Sequence, residues 1–470
     1  MDTICAIATP SGGALGIVRV SGSQAISATS KIFKQRGNKP FSQKHGGSIT
    51  FGNITNPETG EIIDEVLITL FRSPHSYTGE DSCEISCHGS EYILTQVVSL
   101  LLAQGCRMAR PGEYTERAFL NGKMDLSQAE AVADLIASTT EANHRMAMQQ
   151  MRGGFSKELA QLRDQLLHIT SLLELELDFS DHEDLEFASR TKLRNLANEI
   201  HNHISALCQS FRLGNALKRG IPVTIVGETN AGKSTLLNAL VGEERALVSD
   251  IRGTTRDTIE ETVNVGGTLV RLIDTAGIRH TTDEVERMGI ERTFTKINEA
   301  DIVLWIIDLT QYQAQYTELS DNILPAIQGK RLVIILNKQD LVTSSTLAEA
   351  KAYLKSQISA TIPNVTLLSF CAKKSEGLSN LHQILGRTLY ELQSAAPPAG
   401  TIVSNLRHYE ALRAALKAID RVIDGLANDL SGDFISQDLR ECIFHLSDIA
   451  GEVTTDEVLG NIFKNFCIGK

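Results

Sequence analysis

The feature that most constrains the fold of this chain is the run GETNAGKS at positions 227–234. A strand-like run precedes it at 222–226, and a helical pattern follows it at 235–241. In this strand–loop–helix context the run is a phosphate-binding loop, whose backbone N–H groups and following helix N-terminus face a phosphate. Lys233 would reach the β- and γ-phosphates of a nucleotide, and the Ser234 hydroxyl would ligate Mg²⁺. The run therefore predicts an α/β domain that binds a nucleoside triphosphate.

Three further motifs stand at the ends of strand-like runs: DTAG at 274–277, NKQD at 337–340 and CAK at 371–373. The first places a carboxylate near the metal and a glycine N–H near the γ-phosphate. Asp340 in the second can accept hydrogen bonds from both N1–H and the exocyclic amine of guanine, a donor pair that adenine lacks. Backbone N–H groups of the third can bind guanine O6, so Cys371, where serine is commoner, is compatible with that contact. The predicted base is guanine.

The four motifs occur in the order and separation of the translation-factor class of GTP-binding domains, which the chain resembles from about residue 215 to 380. This resemblance assigns GTP binding to residues of all four motifs and of the segment between the first two. They are Asn230, Ala231, Gly232, Lys233, Ser234, Thr235, Ser249, Asp250, Ile251, Arg252, Gly253, Thr254, Thr255, Asp274, Thr275, Ala276, Gly277, Asn337, Lys338, Asp340, Cys371, Ala372 and Lys373.

The residue after DTAG is Ile278, where many such domains carry a glutamine that orients the attacking water. Asn230 and the run GTTRD at 253–257 instead match a subgroup in which a monovalent cation does the work of an arginine finger. The resemblance assigns K⁺ to Asn230, Ser249, Ile251 and Thr254, and Mg²⁺ to Ser234 and Thr255. The alternative for Asn230 is a side chain that stabilises the loop, which the match to this subgroup makes the less favoured interpretation.

Composition sets limits on the rest of the molecule. The length of 470 residues favours two to four domains. With 45 Lys and Arg against 57 Asp and Glu, the net charge of -12 argues against coating nucleic acid through a global positive field, so a nucleic-acid partner would need a local patch. The first ten residues lack the basic region of a secretory signal, and eight dispersed cysteines do not form a disulfide framework. We therefore expect a cytoplasmic protein with reduced thiols.

The periodicity of apolar residues changes along the chain and predicts a multidomain fold. Strand-like runs at 16–20 and 66–71 indicate an α/β N-terminal domain, helical spacing begins near 121, and strands alternate with helices from about 218 to 385. The expected division is an N-terminal domain at 1–118, the first part of a helical domain at 119–213, an inserted P-loop G domain at 214–385, and the second helical part at 386–470. Cys83 and Cys87, with His88, have ligand-like chemistry, but their alternation favours a buried strand face over a metal site.

Three more runs narrow the resemblance: GIVRVSG at 16–22, ARPGEYTERAF at 109–119 and the terminal FCIGK at 466–470. Together they are similar to the MnmE (TrmE) family of tRNA modification GTPases across essentially the whole chain. The resemblance implies an N-terminal domain that binds tetrahydrofolate and dimerises, and a homodimer that joins an FAD-dependent MnmG-like protein in a heterotetramer. It also implies a tRNA substrate whose wobble uridine gains a carboxymethylaminomethyl or aminomethyl group at carbon 5, with 5-formyltetrahydrofolate or methylenetetrahydrofolate as the one-carbon source.

The family resemblance also assigns roles to single residues. Folate binding falls to Arg19, Glu84, Lys123 and Lys470, and the catalytic roles fall to Glu286, Lys233 and Cys467. A carboxylate suits the donor-rich pterin edge of folate, and cations suit its anionic tail. Taken singly, Arg19 and Lys123 read as surface ion pairs, Glu286 as a solvated helix carboxylate and Cys467 as a buried thiol.

Two alternative functions use the same G-domain motifs: a ribosome-assembly GTPase of the cation-dependent subgroup, and a regulatory switch with no modification chemistry. The flanking sequence separates the ribosome-assembly alternative from a tRNA modification GTPase, since a ribosome-binding relative would carry a basic RNA-binding module. This chain is acidic and ends in helices.

Overall fold

The computed structural model describes residues 2–36, 40–178, 189–228, 230–242, 261–265, 268–273, 297–358, 362, 365–371, 374, 376–395, 401–453, 456–464, 466 and 469. The chain forms two compact units. Unit 1 contains Met1–Ile136, Ala147–Ala188 and Leu430–Lys470, and unit 2 contains Ala137–Met146 and Ser189–Asp429. Among the described residues, no helix combines the length and apolar character that a membrane crossing requires.

The chain begins with strands and short helices and then becomes helical. The strands are β1 (Ile4–Ile7), β2 (Leu15–Ser21), β3 (Phe33–Gln35), β4 (Ile49–Thr55), β5 (Ile62–Phe71), β6 (Ser82–His88) and β7 (Arg107–Met108). The helices are α1 (Ala25–Ile32), α2 (Glu91–Ala103), α3 (Glu113–Leu120), α4 (Leu126–Ala137), α5 (Glu141–Met151) and α6 (Gly154–Asp178).

The middle of the chain alternates strands with helices. The helices are α7 (Arg190–Arg219), α8 (Lys233–Gly242), α9 (Tyr312–Ala326), α10 (Ser344–Ile358), α11 (Leu378–Ala395) and α12 (Leu406–Ala427). The strands are β8 (Ile221–Val226), β9 (Glu261–Val265), β10 (Thr268–Leu272), β11 (Ile302–Asp308), β12 (Arg331–Asn337) and β13 (Thr366–Ser369). Two helices complete the chain, α13 (Gly432–Ala450) and α14 (Asp456–Phe463).

Unit 1 is built on a seven-stranded sheet with the order β3-β4-β5-β6-β2-β1-β7. Alternate residues of its strands form a core with α1 and α2, as the pleat of a strand requires. Cys83, Ile85 and Cys87 all belong to that core, which confirms the predicted strand face. Burial raises the pKa of Cys83 to about 12 and that of Cys87 to about 11, so both remain protonated thiols at neutral pH. Helix α6 packs against α13 in the same unit.

Unit 2 is built on a six-stranded sheet with the order β13-β12-β11-β8-β10-β9, parallel except for the β9–β10 pair. Strands β8 and β11 are buried along their whole length, because helices cover both faces of the sheet. Leu304 and Ile306 enter the core with α8 and α11, whereas Val303 and Trp305 enter the core with α9 and α10. Helix α7 packs along α12 and leads through Gly220 into β8.

The predicted combination of an α/β N-terminal domain, long helices and a P-loop α/β domain is therefore confirmed. The expected domain boundaries at 118/119, 213/214 and 385/386 lie inside α3, α7 and α11. Continuous helices thus cross all three positions, and the four-part division stands as a proposal.

Candidate functional site

The phosphate-binding loop leaves the carboxyl end of β8 and enters α8 at Lys233. Lys233 Nζ donates hydrogen bonds to the carbonyl oxygens of Gly227 (2.7 Å) and Glu228 (2.7 Å). Burial lowers the pKa of Lys233, which the nearby Glu228 carboxylate partly opposes. Ser234 and Thr235 lie in the first turn of the helix. The lysine and hydroxyl needed for a phosphate and its metal are therefore at one helix N-terminus.

Two residues of the loop have left-handed backbone conformations. Asn230 has φ 63°, a region that asparagine enters more readily than most residues. Gly232 has φ 108°, and a Cβ atom there would lie 2.1 Å from Asn337 Nδ2. Only glycine therefore allows the phosphate loop to approach the end of β12, which lies beyond β11 in the sheet.

That approach joins the phosphate loop to the predicted base-reading turn. Asn337 is the last residue of β12, and its Nδ2 donates a hydrogen bond to the Ala231 carbonyl oxygen at 2.8 Å. Lys338 follows with φ 62°, and a 3-10 turn at Gln339–Leu341 presents Asp340. Parallel strands end at the same edge of the sheet, which is why motifs distant in sequence meet here.

Cys371, which begins the last of the predicted guanine-binding motifs, lies beside Asp340. Cys371 Sγ donates a hydrogen bond to Asp340 Oδ1 at 3.3 Å, and the Cys371 side chain is buried. Gln339 Nε2 donates to Glu376 Oε2 at 3.0 Å, and the Cys371 N–H donates to the Glu376 carbonyl oxygen at 3.1 Å. The cysteine at this position thus contacts the carboxylate predicted to read the base, a side-chain contact that the sequence pattern does not predict.

The described residues bring together the predicted positions 230–235, 337, 338, 340 and 371. The remaining predicted positions of this site lie outside the described part of the chain. They are Ser249, Asp250, Ile251, Arg252, Gly253, Thr254, Thr255, Asp274, Thr275, Ala276, Gly277, Glu286, Ala372 and Lys373.

A second cluster, in unit 1, contains predicted folate residues. Arg19 and Glu84 are direct partners in the antiparallel register of β2 and β6. Arg19 Nε and Nη2 both donate to Glu84 Oε1, at 2.9 and 2.7 Å, and Arg19 Nη1 donates to the Gly469 carbonyl oxygen at 3.0 Å. Val18 and Val20 point into the core, so Arg19 lies on the opposite face of the sheet.

Aromatic rings border this ion pair. The Arg19 guanidinium lies 5.8 Å from the Tyr77 ring centroid and 5.6 Å from that of Tyr114, within the range of cation–π attraction. Tyr114 Oη donates to the Arg19 carbonyl oxygen at 2.8 Å. Lys123 Nζ donates to the Pro74 carbonyl oxygen at 3.0 Å, three residues before Tyr77. The structure therefore gathers Arg19 and Glu84 and ties Lys123 to the loop that carries Tyr77, while Cys467 and Lys470 lie outside the described residues.

Sequence reasoning missed three residues of these clusters. Tyr77 and Tyr114 were not singled out, although Tyr114 lies in the motif at 109–119 that carries the family resemblance. Asp308 was also missed: it ends β11 and accepts a hydrogen bond from Lys338 Nζ at 2.5 Å. Its position at the end of a strand adjacent to β12 was the available signal, since such ends share one edge of the sheet.

The parallel sheet, the loop at its carboxyl edge and the Asn337 contact define the class of P-loop GTP-binding domains. The family model described as the MnmE helical domain matches residues 126–467, and the model described as the GTP-binding protein TrmE N-terminus matches residues 3–123.

Curated relatives named tRNA modification GTPase MnmE match along the whole chain. The relative from Bacteroides thetaiotaomicron is 57% identical, covering 100% of this chain and 99% of its own length. The relatives from Phocaeicola vulgatus and Flavobacterium johnsoniae are 54% and 49% identical, with the same coverage. The chain belongs to the MnmE family of tRNA modification GTPases. This confirms the family resemblance and argues against the alternative of a ribosome-assembly GTPase.

Proposed function

We propose that the chain binds GTP at the carboxyl edge of the unit 2 sheet and hydrolyses it to GDP and phosphate. The observation that carries this proposal is the hydrogen bond from Asn337 to Ala231, which joins the phosphate loop to the base-reading turn. Asp340 then accepts hydrogen bonds from the N1–H and amine donors on the edge of guanine. Lys233 exchanges part of its hydrogen bonding to the loop carbonyls for contacts with the phosphates. A residue that reads both guanine donors discriminates strongly against a base without them, because buried partners would be left unpaired.

Two cations complete the proposed site. Mg²⁺ would be held by Ser234 and Thr255 and would neutralise charge on the β- and γ-phosphates. K⁺ would be held by Asn230 together with Ser249, Ile251 and Thr254. The left-handed backbone at Asn230 supports this assignment, since an amide oxygen at that bend suits a hard monovalent ion beside the phosphates. Glu286 would position the attacking water, because Ile278 cannot do so.

In unit 1 we propose a site for 5-formyltetrahydrofolate or methylenetetrahydrofolate. Glu84 would accept hydrogen bonds from the pterin edge, while Arg19, Lys123 and Lys470 would supply positive charge for the carboxylates. The Arg19–Glu84 pair supports this, because it holds a carboxylate and a fork of N–H donors side by side on the face of the sheet opposite the core of unit 1. Cys467 is the proposed reactive thiol of the modification reaction.

The proposed product is tRNA whose wobble uridine carries a carboxymethylaminomethyl or aminomethyl group at carbon 5. The chain would act in the cytoplasm as a homodimer, in a heterotetramer with an FAD-dependent MnmG-like protein. Family membership and the match of residues 3–123 to the TrmE N-terminus model support this assignment.

Steady-state turnover tests the nucleotide part of the proposal. GTP hydrolysis by the full chain should be much faster in KCl than in NaCl at equal ionic strength, and ATP should not compete with GTP. Asn230→Ala should abolish the difference between the two salts. Equal rates in the two salts would contradict the potassium assignment, and effective competition by ATP would contradict the guanine assignment.

A further inference from the structure

A buried carboxylate outside the four nucleotide motifs is bound to the base-reading turn. Asp308 is the last residue of β11, is 6% exposed, and stands directly beside Asn337 in the parallel register. Its Oδ1 accepts hydrogen bonds from the Thr310 N–H (2.9 Å) and hydroxyl (2.8 Å), and its Oδ2 accepts one from Lys338 Nζ. Burial opposes ionisation, but these contacts outweigh it and lower the pKa of Asp308.

Lys338 has the least favourable backbone conformation in the turn and therefore needs a stabilising contact. Its φ of 62° places a long side chain in the left-handed region, which is unfavourable for lysine unless the surroundings enforce it. Its ammonium group is anchored on Asp308, and Asp340 follows two residues later. The ion pair therefore fixes the backbone from which the base-reading carboxylate is presented.

We propose that Asp308 is a positioning residue for guanine-nucleotide binding, which holds Lys338 so that the turn keeps its binding conformation before the nucleotide arrives. The proposal rests on the proposed GTP-binding function. A ligand binds a fractionally populated conformation with an affinity reduced by that fraction. Loosening the turn should therefore weaken every guanine nucleotide by the same factor, because GTP and GDP share the base.

Asp308→Asn is a well-defined perturbation of this contact. The remaining amide oxygen still accepts from Thr310, so the end of β11 keeps its cap, while the amide NH₂ that replaces Oδ2 cannot accept from Lys338. Asp301→Asn is the matched control, because Asp301 precedes the same strand and accepts a hydrogen bond from the exposed side chain of Arg212. It applies the same chemical change at the opposite end of β11.

Calorimetric titration of the full chain with GDP and with a non-hydrolysable GTP analogue measures the effect. Asp308→Asn should weaken both ligands by about tenfold, the scale of a lost charge-assisted hydrogen bond. In turnover it should raise KM for GTP more than it lowers kcat. Asp301→Asn should bind both ligands as the wild type does.

Lys338→Met supplies a second, independent arm, since it removes the ammonium group and keeps a similar apolar stem. It should weaken both ligands by a similar factor, and adding Asp308→Asn to it should weaken them no further. Thermal unfolding of each nucleotide-free variant shows the temperature range in which it is folded, and the titrations are made at a temperature at which all the variants are folded.

The outcomes separate this inference from the function on which it rests. Failure of the wild-type chain to bind either ligand would contradict the proposed function. Binding by the wild type together with unchanged affinity in Asp308→Asn or in Lys338→Met would overturn the positioning role. Additive losses in the double variant would overturn it as well, because the two residues would then act separately.

Discussion

Replacing Glu113 by glutamine should destabilise unit 1 by about 2–3 kcal/mol. The Glu113 side chain is 3% exposed, and its carboxylate accepts four hydrogen bonds. Two come from Arg107 (2.6 and 3.0 Å), one from the Arg110 N–H (2.8 Å) and one from Arg117 Nη2 (3.0 Å). Glutamine keeps a single acceptor oxygen and turns an NH₂ group toward donors, so buried N–H groups of the arginines lose their partner.

The pKa of Glu113 sets the magnitude of this effect. Burial alone would raise that pKa, but the hydrogen bonds from Arg107, Arg110 and Arg117 outweigh it and hold the pKa at about 2, against an ordinary value of 4.5. Each pKa unit corresponds to about 1.4 kcal/mol, which gives about 3 kcal/mol for the charged form. The Arg107 side chain is 41% exposed, so screening by water reduces the expected loss toward about 2 kcal/mol.

Differential scanning calorimetry of the full chain at pH 7 measures this loss. For a unit of this size each kcal/mol shifts the unfolding temperature by about 2–4 °C, so one transition should fall by about 4–12 °C. Glu65→Gln is the control, because Glu65 pairs with Arg36 on the surface, where both side chains are more than half exposed. Its shift should be small.

The effect should depend on pH in a defined direction. A carboxyl group with a lowered pKa in the folded state stabilises the protein above its unfolded pKa, and that stabilisation is lost as the pH falls toward the folded pKa. The difference between wild type and Glu113→Gln should therefore shrink between about pH 4.5 and 2. Equal shifts for the Glu113 and Glu65 variants at pH 7 would refute the reasoning, as would a difference that stays constant through the acid range.

Three binding predictions follow from the two clusters. Asp340→Asn should weaken GTP binding by about 3 kcal/mol in calorimetric titration, because guanine N1–H and its amine lose their charged acceptor, and an unchanged affinity would exclude Asp340 as the base reader. Cys371→Ala should weaken GTP about twofold to fivefold, whereas Cys371→Ser keeps a donor for Asp340 and should bind as the wild type does; equal behaviour of the two variants would show that the thiol contact is irrelevant. Arg19→Gln should weaken 5-formyltetrahydrofolate by about tenfold and Arg19→Lys by less, since lysine keeps the charge but not the fork of donors, and no loss in either would remove Arg19 from the folate site.

Local patterns predicted the nucleotide unit well, because its motifs follow buried strands. The strand predicted at 222–226 is β8, the helix predicted at 235–241 lies within α8, and the Asn337–Asp340 turn follows β12 as expected. What the patterns could not supply were side-chain contacts between distant segments. Asp308 meets Lys338 across neighbouring strands, and the Cys371 thiol meets Asp340 across two loops.

In unit 1 the family resemblance predicted folate binding by Arg19 and Glu84, and the structure supplies a physical reason for the proximity of these two residues. Register places Arg19 opposite Glu84, which no local pattern in either strand indicates. The motif at 109–119 contributed to the family resemblance, but no structural role for its residues followed from the sequence alone. Its Glu113 and Arg117 prove to be the two buried members of an ion network that also includes Glu80 and the exposed Asp2.

Nucleoside analysis of tRNA is the direct assay of whether this chain uses GTP hydrolysis to modify the tRNA wobble uridine. Total tRNA would be digested and analysed by mass spectrometry from cells that lack the chain, and from the same cells supplied with the wild type or with Lys233→Ala. We expect carboxymethylaminomethyl- or aminomethyl-uridine derivatives to disappear without the chain, to return with the wild type and not to return with Lys233→Ala. An unchanged set of modified uridines in cells that lack the chain would contradict it.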